Sequence, residues 1–109
     1  MEVTLVLPPH CRRLAGAAGP VTVAVPAGAG ERVTVGMVLE ALEAAYPVLR
    51  GLLREGGGSL REGSGSLRPF IRVFAAGTDL TPAGLAAEVP LSVREGAEAL
   101  RIVGAIAGG

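Results

Sequence analysis

Lysine is absent from this sequence, and histidine, cysteine and aspartate occur once each, as His10, Cys11 and Asp79. Without lysine there is no P-loop lysine and no Schiff-base nucleophile. A single cysteine excludes an internal disulfide, and one Cys with one His excludes the Cys/His-rich zinc frameworks. A self-contained Ser-His-Asp site would need both His10 and Asp79. Ten arginines face ten acidic residues, for a formal net charge of zero. No basic excess therefore points to nucleic acid or an anionic membrane. No apolar run approaches the roughly 20 residues of a membrane span. The first residues, Met1 to Leu7, lack the basic segment and cleavage site of a signal peptide. Tryptophan is missing, and there are only two Phe and one Tyr. Any core must be aliphatic. The inventory is that of a cytoplasmic binding module, carrier or subunit, not an enzyme, with no metal and no cofactor bound by the chain itself.

What is present suffices for one domain: 109 residues, half of them apolar. Val3, Leu5 and Leu7 alternate with Glu2, Thr4 and Val6, a half-buried strand that Pro8-Pro9 ends. His10 to Gly16 reads as a loop. Val21, Val23 and Val25 alternate with Thr22 and Ala24 as a second strand, antiparallel to the first, stopped by Pro26. Thr34 stands where a helix N-cap belongs. Val35, Val38, Leu39, Leu42, Ala45 and Tyr46 then share one helical face. Pro47 ends or kinks that helix, and Leu49, Leu52 and Leu53 continue as a short turn covering the core edge. Residues 54–67 contain a seven-residue repeat, Arg54-Glu55-Gly56-Gly57-Gly58-Ser59-Leu60 and Arg61-Glu62-Gly63-Ser64-Gly65-Ser66-Leu67. Its glycines are hostile to helix, so it reads as a flexible loop; a phosphate cradle lacks the lysine and the strand–loop–helix context. Phe70 to Ala75 is a strand with Phe74 in the core, Gly77-Thr78-Asp79 a turn, Leu80 to Ala86 an irregular connector and Pro90 to Val93 a brief strand. Arg94 to Glu98 turns into a last strand, Ala99 to Val103, with Leu100 and Ile102 inward and Arg101 outward. One amphipathic helix across a small mixed sheet is an α+β arrangement.

The final segment, Gly104-Ala105-Ile106-Ala107-Gly108-Gly109, carries no charged or hydroxyl side chain. Glycine adds nothing to a core, but its missing Cβ lets backbone enter a narrow channel. Five extended residues from Ala105 reach roughly 17 Å, enough to carry a carboxylate into another protein's active site. A frayed end is the plainer alternative.

These stretches together resemble the MoaD/ThiS family of ubiquitin-like sulfur carriers. Pro90 to Gly109 is similar to that family's closing pattern of acidic Gly turn, apolar strand and small-residue tail ending in Gly-Gly. Thr34-Val35 with Val38-Leu39-Glu40-Ala41-Leu42 and Tyr46-Pro47 is similar to its helix, and Ile71-Arg72-Val73-Phe74 with Gly77-Thr78-Asp79 to its central strand and turn. The Leu85 region resembles the connector of carriers that feed cysteine synthesis. The resemblance covers most of the chain outside the 54–67 loop. It implies a β-grasp domain over 1–104, with a Gly/Ser-rich insertion at about 54–68, and a flexible tail over 105–109. It also implies that a MoeB/ThiF-like E1 enzyme uses ATP to adenylate the Gly109 carboxylate. Sulfur would then displace AMP, and the thiocarboxylate would serve a sulfur-accepting synthase. Gly104, Ala105, Ile106, Ala107 and Gly108 would enter the partner's active site. Two other roles use the same terminus: a protein modifier conjugated through Gly109, and a small non-catalytic subunit of a molybdopterin-synthase-like complex. Leu91 and Val93 are candidates for a partner-facing apolar patch, against the more ordinary alternative of burial. Arg12-Arg13 reads as a solvated pair and His10-Cys11 as a loop with no mechanistic role.

Overall fold

A computed structural model describes residues 1–28, 30–55 and 65–104. Among these residues seven strands are formed: β1 (Glu2–Val6), β2 (Val21–Ala24), β3 (Arg54–Glu55), β4 (Ser66–Leu67), β5 (Ile71–Ala75), β6 (Thr78–Asp79) and β7 (Leu100–Gly104). Three α-helices accompany them: α1 (Pro9–Ala15), α2 (Val35–Ala45) and α3 (Leu91–Arg94), with 3₁₀ turns at Pro47–Leu49 and Thr81–Ala86. The main sheet has the order β2-β1-β7-β5-β6, and β3-β4 is a separate two-stranded ribbon. The first and last strands, β1 and β7, lie parallel at the sheet centre, with Leu5 opposite Leu100 and Val6 opposite Arg101. Every other pairing is antiparallel. This is the expected α+β architecture, a mixed sheet with one main helix laid across it.

The strand pattern translates directly into packing. Val3 and Leu5 of β1, Val21 and Val23 of β2, Ile71, Val73 and Ala75 of β5, and Leu100 and Ile102 of β7 all point inward and are buried. Val35, Val38, Leu39 and Leu42 of α2 join the same cluster, as do Leu49, Leu53 and Cys11. Each fully buried Val or Leu contributes about 1.5–3 kcal/mol relative to exposure, so an almost purely aliphatic core suffices. The N-cap of α2 is Thr34, whose Oγ1 accepts from the Met37 amide at 3.2 Å. Among the described residues no helix is long and apolar enough to cross a membrane.

Four local expectations are corrected. Residues 9–15 are helical, not a loop. Pro9 at the first helical position has its φ preset and loses no hydrogen bond there, and Gly16, at φ 71°, closes the helix in the left-handed conformation. Pro90 to Val93 is not a strand: Leu91–Arg94 is a single helical turn, with the Glu95 amide donating to the Leu91 carbonyl at 2.8 Å. The turn after β5 is confined to Ala76-Gly77, and Thr78-Asp79 returns as β6 against Ala75 and Phe74. Both turn residues have positive φ, 52° and 78°, as a tight hairpin whose twist matches its strands requires. Finally, Phe74 is half-buried on the outer face of the sheet rather than in the core, because Ile71, Val73 and Ala75 take the inward parity of β5.

The ends of the 54–67 stretch are ordered as a ribbon, with Arg54 opposite Leu67 and Glu55 opposite Ser66. Arg54 donates from Nε and Nη2 to both carboxylate oxygens of Glu43 on α2, at 2.9 and 2.8 Å. The side chains of this pair are 8% and 9% accessible. Arg68 clamps the same base from outside, donating to Gly51 O at 2.9 Å and Glu55 Oε2 at 3.0 Å. The flexible loop and the phosphate cradle weighed for residues 56–64 lie outside the described residues.

Candidate functional site at the root of the tail

β7 carries the chain to Gly104. Its inward residues Leu100 and Ile102 are anchored in the core, which directs Arg101 and Val103 to the outer face. β5 holds its other edge, pairing Ile71 with Gly104, Arg72 with Val103, Val73 with Ile102 and Phe74 with Arg101. Gly104 is packed beside Pro8 at the β1–α1 corner: a Cβ built on it would lie 4.0 Å from Pro8 Cβ, an ordinary contact. The root of the tail is therefore fixed by the pairing of β7 with β5 and by that corner. Ala105, Ile106, Ala107, Gly108 and Gly109, the rest of the expected tail and its reactive end, lie outside the described residues.

The outer surface around this root is part apolar and part cationic. Phe70 and Val103 are each 37% accessible, and Val6 and Phe74 are half-buried. Arg72 Nη1 donates to Asp79 Oδ2 at 3.2 Å. Asp79 Oδ1 accepts from the Thr81 amide at 2.9 Å. Hydrogen bonds from Thr81, with Arg72 alongside, hold the Asp79 carboxyl below the usual carboxylate range. Arg101 has no ion-pair partner among the described residues. An open groove of about 450 Å³ lies beside it, lined by Phe74, Ala76, Gly77, Glu98 and Arg101.

Of the two residues considered for a partner patch, Leu91 is 60% accessible, whereas Val93 is fully buried and cannot meet a partner. His10 is exposed, and Cys11 is buried, with its thiol pushed up by desolvation. A buried neutral thiol is a poor nucleophile. Among the described residues no three His, Cys, Asp or Glu side chains gather as a metal site. The sequence reading places Phe74 in the core and does not single out Val103 or Phe70; the period-two parity of β5 and β7, already evident for Arg101, is the signal that finds Phe74 and Val103 on the outer face.

No family model and no curated protein matches this chain. Among solved structures it is similar to SAMP1 from Haloferax volcanii, at 23% identity and a TM-score of 0.67, over 100% of both chains. It is also similar to a chain of the BexX/CysO complex of Amycolatopsis orientalis, at 25% identity and a TM-score of 0.69, over 98% of this chain and 99% of that one. The chain has the β-grasp fold of these structures, consistent with the MoaD/ThiS family that its sequence resembles.

Proposed function

We propose that this protein is a sulfur carrier acting through the carboxylate of Gly109. The observation that supports the reading most is the placement of β7. The central strand delivers the chain to Gly104 at the sheet end, so Ala105 to Gly109 follow a rigidly held root. The likeness to a chain of the BexX/CysO complex favours a partner synthase that accepts the sulfur.

A carboxylate resists attack at neutral pH because its oxygen is a poor leaving group. In the proposed reaction a MoeB/ThiF-like enzyme lets the Gly109 carboxylate attack the α-phosphorus of ATP, releasing pyrophosphate and forming an acyl-adenylate. A hydrosulfide-level sulfur nucleophile then attacks the acyl carbon. The acyl–oxygen bond to AMP breaks, a proton is released, and the thiocarboxylate remains. The carrier contributes no catalytic side chain. Its part is to bring the acyl carbon into two different active sites, and glycine at the last two positions suits a narrow channel. The chain's lack of lysine also leaves it without a side-chain acceptor for isopeptide bonds to itself.

The test is the intact mass of the protein after incubation with ATP, a sulfide source and the MoeB/ThiF-like enzyme of its own genome. The expected shift is that of one oxygen replaced by sulfur, absent when Gly109 is deleted. An unshifted mass, with the same enzyme active on another carrier, refutes the reading.

A further inference from the structure

We infer that the free edge of β2 is a self-association surface, at which two copies of this chain pair β2 with β2, antiparallel, about Val23. The inference does not depend on the carrier chemistry. β2 is one edge of the main sheet, whose order is β2-β1-β7-β5-β6. The Val25 amide donates to the Met1 carbonyl at 2.6 Å, which sets the alternation of the ladder. Val23 with Val3 and Val21 with Leu5 are then the hydrogen-bonded pairs, and Thr22 with Thr4 and Ala24 with Glu2 the non-bonded ones. The hydroxyls of Thr4 and Thr22 lie 3.1 Å apart, in keeping with the closer side chains of a non-bonded pair. The amides and carbonyls of Thr22 and Ala24 therefore point away from β1, and among the described residues no other backbone group takes them up. The opposite edge is closed. There β6 is only Thr78–Asp79, the Leu80 amide donates to the Val73 carbonyl at 2.8 Å, and the Val73 amide donates to Thr81 Oγ1 at 2.8 Å.

The chemistry of the edge selects a second copy. Edge strands commonly repel one another with charges, lysine above all. Here no residue from Leu14 to Gly30 is charged, and Val21, Val23 and Val25 are already buried on the inner side. The stretch Pro20-Val21-Thr22-Val23-Ala24-Val25-Pro26 reads the same in both directions, except that Thr22 and Ala24 exchange. A two-fold axis through Val23 sets Thr22 beside the partner's Ala24, and Ala24 beside the partner's Thr22. Each pair exchanges both of its backbone hydrogen bonds, in the isologous arrangement of a dimer. Pro20 and Pro26, at the next positions of the same parity, have no amide hydrogen, so the pairing stops there. Charge favours the same orientation. The nearest charged residues along the chain are Arg13 before β2 and Glu31 after it, and antiparallel pairing turns the N-terminal side of one copy toward the C-terminal side of the other. So short a contact falls well below the roughly 20–30 residues a side of a standard interface, which makes the dimer weak and concentration-dependent. Both tail roots stay clear of it. β7 lies two strands in from β2, so the two β7 strands run in opposite directions about 24 Å apart, at about 4.8 Å per strand.

The experiment is sedimentation of the full chain from about 1 μM to about 1 mM, with amide hydrogen exchange at both ends of that range. The wild-type chain should pass from monomer to dimer, and exchange at Thr22 and Ala24 should slow with concentration while exchange at Thr78 does not change. Ala24→Pro removes a donor, and Thr22→Glu places like charges at diagonal positions across the pair; each should weaken the dimer about tenfold or more. Mixing Thr22→Glu chains with Ala24→Lys chains should restore association as a heterodimer, because the register sets those two positions side by side. Thr78→Glu, on the opposite edge, should leave the dimer unchanged. Thermal melts show which variants fold, and exchange in the wild-type chain carries the test where they do not. A wild-type chain still monomeric at about 1 mM overturns the inference, as does a dimer indifferent to both Ala24→Pro and Thr22→Glu. Exchange at Thr22 and Ala24 that slows only when the MoeB/ThiF-like enzyme is added overturns it too, since the edge would then belong to that enzyme and not to a second copy.

Discussion

Replacing Glu43 with alanine should be among the most damaging single changes that leave the aliphatic core intact. Glu43 lies in the last turns of α2, where a negative charge opposes the helix dipole. Its two oxygens each accept a charged hydrogen bond from Arg54, at 2.8 and 2.9 Å, in a site where both side chains are less than one-tenth accessible. Alanine removes the acceptor and leaves a guanidinium under the surface. The Nη1 of that group already lacks a hydrogen-bond partner among the described residues, and the other carboxylate acting on it, Glu40, does so through charge without a hydrogen bond. Breaking a buried pair from one side costs about 3–5 kcal/mol. Against a total stability of about 5–15 kcal/mol that is a large fraction. At about 4 °C per kcal/mol for a domain of this size, the melting temperature should fall by about 12–20 °C. Chemical denaturation of Glu43→Ala is measured beside the cycle of Glu43→Leu, Arg54→Leu and the Glu43→Leu/Arg54→Leu double variant. The double variant should recover most of the loss, because apolar replacements of both partners avoid desolvation. A loss below about 1 kcal/mol for Glu43→Ala would show the pair behaving as a solvated surface contact and would refute the claim that it fastens the ribbon to α2.

Thr34→Ala removes the oxygen that accepts from Met37 N and should cost about 1 kcal/mol in urea denaturation. Thr34→Ser should retain most of the stability. Ala76 sits at φ 52°, a conformation that costs a residue with a Cβ about 1–2 kcal/mol. Ala76→Gly should relieve it, offset by about 0.5–1 kcal/mol of backbone entropy, for a small net rise in melting temperature; a fall would contradict the strain. Asp79 is held below the usual carboxylate range by Thr81 and Arg72. Its contribution is complete above the unfolded-state value and is lost as pH falls through the lower folded-state value. Asp79→Asn should flatten the acid limb of a stability–pH curve measured from neutrality to about pH 2, and an unchanged limb would count against that linkage. Cys11, 4% accessible with a raised pKa, should react with iodoacetamide much more slowly in the folded protein than in urea.

Where the chain repeats a pattern long enough to be read, sequence and structure agree. The alternations of β1 and β2 and the three-and-four spacing of α2 each extend over enough residues to declare a period. The errors fall on elements too short for that. Leu91 and Val93 share parity, and as strand residues they would face the same way. On the single turn of α3 they lie on opposite sides of the helix axis, so Leu91 is exposed and Val93 is core. α1 is announced only by its termini, Pro9 and Gly16, not by periodicity. Phe74 was placed in the core because it is large and apolar, yet its neighbours' parity fixes it outward. The ion pair under the ribbon was not legible, since no local rule links Glu43 to Arg54 across the Pro47–Leu49 turn. At the candidate site, the root at Gly104 and the outward Arg101 follow from the strand pattern; the roles of Ala105 to Gly109 rest on the family resemblance.

Because β7 supplies the middle of the sheet, β5 and β6 have no path to β1 and β2 until it arrives. Its parallel partner, β1, lies nearly a whole chain length away in sequence, a pairing whose loop-closure cost is met late in folding. An N-terminal hairpin, α2 and a C-terminal hairpin can assemble separately, but they become one body only when β7 docks. The same event fixes Gly104 in place. Folding and placement of the root are thus one event: a domain that is unfinished or misregistered at β7 does not present Gly104 at the end of a paired central strand.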